Sequence, residues 1–171
     1  MNRRRAAHLM VGLTAALALA TGCSPDDGDE PPTTALLADV TQQVTTDANA
    51  MADAAGTELI NWKTNPAPCT GRNGEFADDD RWSLGAVGDL KVDPAGQLAT
   101  LGRIRTVLQQ RGWEITDDST FADGTRGKLS AIHPSTSHTT VVTTTVDRQY
   151  LAVSLGSPCH LPAPGENPLR N

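Results

Sequence analysis

Residues 82–112 read WSLGAVGDLKVDPAGQLATLGRIRTVLQQRG, and this stretch decides the fold. Trp82, Leu84, Ala86, Leu90 and Val92 all fall on even positions, the alternation of a strand that buries one face. Gly85 and Gly88 sit inside it and mark a bulge or a close backbone approach. Asp93-Pro94 then switches the period: a capping residue followed by proline at the first helical position starts a helix. Leu98, Leu101, Ile104, Val107 and Leu108 supply its apolar face, and Gly112 is placed to stop it. A half-buried strand leading into an amphipathic helix requires a sheet on which that helix can lie.

The flanks extend the pattern. Upstream, Leu37, Val40, Val44, Ala48, Met51, Ala55 and Leu59 recur in steps of 3 and 4, which predicts a helix ending near Asn61 with Thr34 as its N-cap. Residues 64–80, with Pro66, Pro68, Gly71 and Gly74, read as loop. Downstream, Trp113 and Ile115 form a short strand, and Asp123-Gly124 signals a turn. Residues 128–133 and 138–146 are two more strands. Asp147-Arg148 then turns the chain into a last strand, in which Leu151, Val153 and Leu155 point inward. The expected fold is an α+β domain over residues 35–171. Its two helices pack on one face of an antiparallel sheet of about four to five strands, in the order α-β-α-β-β-β-β.

The N-terminal part reads as an address. Arg3, Arg4 and Arg5 precede an apolar stretch from Leu9 to Ala20, the length of a signal-peptide core and too short to span a bilayer. Small residues then lead into Gly22-Cys23. This arrangement resembles the lipobox of bacterial lipoproteins, although Ala20 stands where leucine is most usual. The resemblance implies that residues 1–22 are cleaved after Gly22, that the Cys23 thiol carries a diacylglyceryl group, and that membrane lipid is the partner of that group. The expected location is the extracytoplasmic face of the bacterial cell membrane. The arginines also suggest the twin-arginine route as an alternative to general secretion, but Ala6 and Ala7 depart from the bulkier residues that route favours.

Residues 23–34 hold the lipidated cysteine and an acidic, proline-rich tether, in which Asp26, Asp27, Asp29 and Glu30 cannot build a core. The whole chain of 171 residues has 14 basic and 20 acidic residues, a net charge of −6. Without residues 1–22 the balance is 11 basic against 20 acidic, a net of −9. That acidity argues against a nucleic-acid binder, which would carry a basic patch, and anionic headgroups repel it.

The three cysteines divide accordingly. With Cys23 taken by lipid, Cys69 and Cys159 form one even pair in an oxidising compartment, where disulfides persist. The succession of lipobox, acidic tether, N-terminal helix, first cysteine, Gly112-Trp113 and final Ser157-Pro158-Cys159 resembles the small secreted lipoproteins of actinobacteria, such as the mycobacterial LppA-like group. The resemblance implies a cell-envelope address and a compact α+β fold, and it transfers no catalytic residue.

The residues that carry chemistry do not converge. His133 and His138 are five apart across a turn, which is not a standard ligand spacing. His160 adjoins Cys159 as a polar residue at a strand end. Asp78-Asp79-Asp80 and the run from Asp117 to Asp123 lack the calcium-loop register. No nucleophile elbow, Ser-x-x-Lys or phosphate loop occurs. The expectation is no catalytic residue, no metal and no cofactor. The reading is a non-enzymatic, lipid-anchored binding or interaction module. A carrier holding a small or lipidic ligand between sheet and helices is the first alternative, and an envelope hydrolase is the second. The threonine run at 139–145 is an ordinary strand or a flat ligand surface, and Trp62, Trp82 and Trp113 read as core or core-edge residues.

Overall fold

The even-numbered apolar residues of the central stretch do form a strand, β3 (Trp82–Lys91), and the sheet is organised around it. In the computed structural model, residues 32–71 and 74–170 are described. Before β3 come β1 (Thr33–Ala35), α1 (Leu37–Ala55) and β2 (Leu59–Pro68). After it come a 3-10 turn (Pro94–Gly96) and α2 (Gln97–Gln110). The chain then continues through β4 (Glu114–Thr120), β5 (Gly127–Ile132), β6 (Thr139–Thr144), β7 (Tyr150–Gly156) and β8 (His160–Pro162). The sheet has eight strands in the order β1-β8-β3-β7-β6-β5-β4, with β2 paired to β3 alone. The β1–β8 pair is parallel and the other ladders are antiparallel.

The α+β class stands, with both helices on one sheet face. Trp82, Leu84, Ala86 and Leu90 of β3 share one buried cluster with Leu129, Ala131, Val142, Leu151, Val153 and Leu155 from β5, β6 and β7. Val40, Val44, Ala48 and Met51 of α1 and Leu101, Ile104 and Leu108 of α2 close it from above. The ladder registers place these residues in common rows: Ala86 pairs with Leu155, Leu155 with Thr140, and Thr140 with Ala131. The opposite face is open. Val87 and Val141 are exposed there, in a row with Ser154 and Ser130.

The sheet is larger than the four to five strands expected, and its order is different. The three additional strands are β1, β2 and β8. Helix α1 stops at Ala55, where Gly56 takes a left-handed φ of 72° and donates its N–H to the Asp53 carbonyl. Leu59 continues the helical spacing by coincidence and belongs to β2. Pro66 and Pro68, which read as loop signals, are tolerated because β2 is an edge strand with a single partner. Strands β1 and β8 have three residues each, too short to show a period.

The N-cap assignment also changes. Thr33 and Thr34, the last two residues of the expected tether, lie in β1 opposite His160 and Leu161. Leu36 is the N-cap and makes no side-chain cap bond. The Glu166 carboxylate instead accepts from the Leu37 N–H at 3.2 Å, so a distant acid completes the helix start. On α2, Leu98 turns out to solvent, and Gln97 is buried in its place, donating to the carbonyls of Val92 (3.2 Å) and Arg148 (2.9 Å).

Candidate functional site

Cys69 and Cys159, 90 residues apart in sequence, are joined in a disulfide. Cys69 follows β2 and Cys159 precedes β8, so the bridge ties the strand edge to the end of the sheet. Gly22 and Cys23, the predicted cleavage and lipidation residues, lie outside the described residues.

The histidines are not brought together as ligands. His133 lies in the β5–β6 turn, its ring edge-on to Trp113 with centroids 5.4 Å apart. His138 is buried. His160 is buried against Trp82, with ring centroids 5.3 Å apart, and its Nδ1 lies 3.3 Å from the Thr33 hydroxyl. Among the described residues, no three of His, Cys, Asp and Glu are grouped to hold a metal ion. The acidic runs are committed to neighbours: Asp79 pairs with Arg81, Asp118 with Arg105, and Asp117 with Lys128. The Asp123 carboxyl is held well below the ordinary carboxylate range, first by the Thr125 N–H and then by the Arg126 side chain.

The threonine run resolves into two faces. Thr140 and Thr144 point inward, and their hydroxyls donate to the carbonyls of Ser154 (3.1 Å) and Gly127 (3.1 Å). Thr139, Val141 and Thr143 lie on the open face. Trp82 and Trp113 are buried in the core, and Trp62 is half-buried, donating to the Thr45 hydroxyl at 3.3 Å.

The arrangement that converges on one place is a polar cleft that sequence reasoning missed. It lies between the first half of α1, the exit of α2 and the β5–β6 turn, and has a volume of about 560 Å³. Asp39, Gln42, Gln43 and Thr46 face it from α1, and Arg111, Trp113 and His133 close the other side. Its floor is Asp47, only 8% exposed. Arg111 donates to Asp47 Oδ1 at 3.0 Å, and His138 Nδ1 lies 3.8 Å from Oδ2. At 3.8 Å this contact is longer than a full hydrogen bond.

Burial raises the Asp47 carboxyl. The pull of His138 and Arg111 outweighs that, so the group is held below its ordinary 3.8. Arg111 occupies the C-cap of α2, just before Gly112, whose φ of 86° turns the chain toward Trp113. The turn that ends α2 thus aims the guanidinium at α1. One signal in the sequence points here. Asp47 sits between Val44 and Met51 on the buried stripe of α1, where an acid needs a partner.

No protein-family model matches this chain, and no curated protein does. The cleft is therefore interpreted from its own chemistry. Its lining holds carboxylates, amides, a guanidinium and an imidazole, and its one hydroxyl, on Thr46, donates to the Gln42 carbonyl at 2.8 Å. These groups can hold and orient a ligand by hydrogen bonds.

Proposed function

We propose that this chain is a lipid-anchored envelope lipoprotein of the small actinobacterial type, and that its folded domain serves as a non-enzymatic binding module. The observation that carries the reading is the position of Cys23. It follows Gly22 at the end of an apolar segment of signal-peptide length and precedes an acidic tether, while the other two cysteines are joined to each other. A diacylglyceryl group brings two acyl chains. A single chain binds membranes only marginally, and two give stable attachment. The acidic tether and domain add no attraction for anionic headgroups, so the lipid is the anchor.

Within the domain, the polar cleft over Asp47 supports binding. A lipid carrier has less support, because Met51, Trp82, Leu84, Leu90, Ile104 and Leu108 fill the space between the helices and the sheet. The test is Cys23→Ser. The variant is expected to leave the membrane fraction and to accumulate as soluble or uncleaved protein. Unchanged partitioning into the detergent phase would overturn the anchor. Cross-linking from the cleft in intact cells then tests the binding module, which fails if nothing is captured there.

A further inference from the structure

We infer that the cleft over Asp47 is a site for an uncharged saccharide. This rests on the binding-module reading and specifies its ligand. The volume of about 560 Å³ lies within the range of small-ligand sites. Three features of the lining select the class.

The first is charge. Among the described residues, Arg111 is the only lysine or arginine lining the cleft, and it donates to Asp47 at 3.0 Å. Its charge is balanced by Asp47, and the Asp39 and Asp47 carboxylates in the same lining disfavour a phosphate or sulfate. The second is the shape of the polar groups. Gln42 and Gln43 each present a planar amide with donors and an acceptor side by side, and Asp39 adds a planar carboxylate. Such flat, paired groups match vicinal hydroxyls, each of which can donate and accept. The third is the wall. The half-buried His133 ring packs T-shaped on the buried Trp113, so an imidazole fixed by packing borders the polar groups. A packed imidazole ring beside paired hydrogen-bonding groups complements a sugar ring, which is apolar on its C–H face and polar at its rim. The Asp47–Arg111 pair and the Trp113–His133 contact hold this wall before any ligand arrives, which lowers the ordering cost of binding.

The experiment uses the full chain in detergent micelles, followed by amide NMR. Maltose, cellobiose and N,N′-diacetylchitobiose are each titrated into the millimolar range, with inorganic phosphate and putrescine as charged controls. At least one disaccharide should give saturable shifts at residues 39–47, 111–113 and 133, and the two charged probes should not. The double variant Gln42→Ala/Gln43→Ala changes two exposed side chains and should keep the fold. It should weaken binding about fivefold or more, as expected for lost hydrogen bonds. The inference is overturned if no disaccharide saturates at the cleft, if only phosphate or putrescine does, or if the double variant binds as tightly as the parent. In any of those cases, a cross-link captured at the cleft in intact cells would leave the binding-module reading standing.

Discussion

At the scale of the residue, the chain's most consequential polar groups are ones it buries. His160 is packed against Trp82 with its Nδ1 near Thr33 and its Nε2 unpartnered. Burial first, and the charge of His138 second, lower its pKa from the ordinary 6.5, with the Thr33 hydrogen bond acting in the opposite sense. The unfolded chain therefore takes up a proton at His160 near pH 6.5, where the folded chain still refuses it. The unfolded state then binds more protons, so stability is full above about 6.5 and falls as the pH drops toward the folded value. Asp47, also lowered, adds a second decline that begins near 3.8. Thermal melts across pH should show both limbs, and His160→Gln should flatten the upper one and leave the lower. An unchanged upper slope in that variant would show that another group causes it. The sequence did not announce these roles. His160 reads as a strand-end residue beside a cysteine, and only the fold supplies the Trp82 ring and β1 that desolvate it. Asp47 was half legible, as an acid on an apolar stripe, but its partners Arg111 and His138 are 64 and 91 positions away.

At the scale of the element, legibility followed length and period. Helix α1, helix α2, β3 and the meander from β5 to β7 repeat their patterns often enough to be read directly. Leu151, Val153 and Leu155 are buried as their alternation requires. The features that were missed are those decided by neighbours: the three-residue strands β1 and β8, and β2, whose prolines are excused only by its edge position. Inside β2 the ladder shifts register between Ile60 and Lys63, and Asn61 takes a φ of 55° there and donates to Asp89 at 2.9 Å. The two glycines of β3 are informative in different degrees. A Cβ built on Gly88 would meet Trp62 Cε3 at 2.9 Å and the Ile60 carbonyl oxygen at 3.2 Å, whereas one on Gly85 meets only the Asn65 carbonyl at 3.8 Å. Gly88→Ala should therefore cost about 1–3 kcal/mol by overpacking, and Gly85→Ala should change stability by less than about 0.5 kcal/mol. Urea unfolding of the two variants decides it, and equal costs would mean that Trp62 yields without penalty.

At the scale of the whole molecule, the disulfide lies where the chain enters its domain. The predicted tether runs into β1, which adds three parallel residues to β8, and β8 begins directly after Cys159. If Cys23 carries lipid as proposed, any pull on it would reach the fold through this short ladder. Three residues of parallel pairing are a weak joint, and two other contacts reinforce it: Glu166 on the α1 start and the Thr33–His160 contact. The bridge to Cys69 fixes the near end of β8 to the exit of β2, so β1 docks on a strand that cannot drift from β3. Closing a loop of 90 residues is worth roughly 4–5 kcal/mol in the chain-entropy account. Measured losses are usually smaller, so Cys69→Ala/Cys159→Ala should lose about 2–4 kcal/mol in denaturant unfolding. The distribution of that loss is the sharper test. Amide exchange should accelerate first in residues 33–35 and 160–161, while β5 and β4, at the far end of the strand order from β8, keep their protection. A uniform loss of protection across the sheet would mean that the bridge acts only on the unfolded chain and does not reinforce the β1–β8 joint.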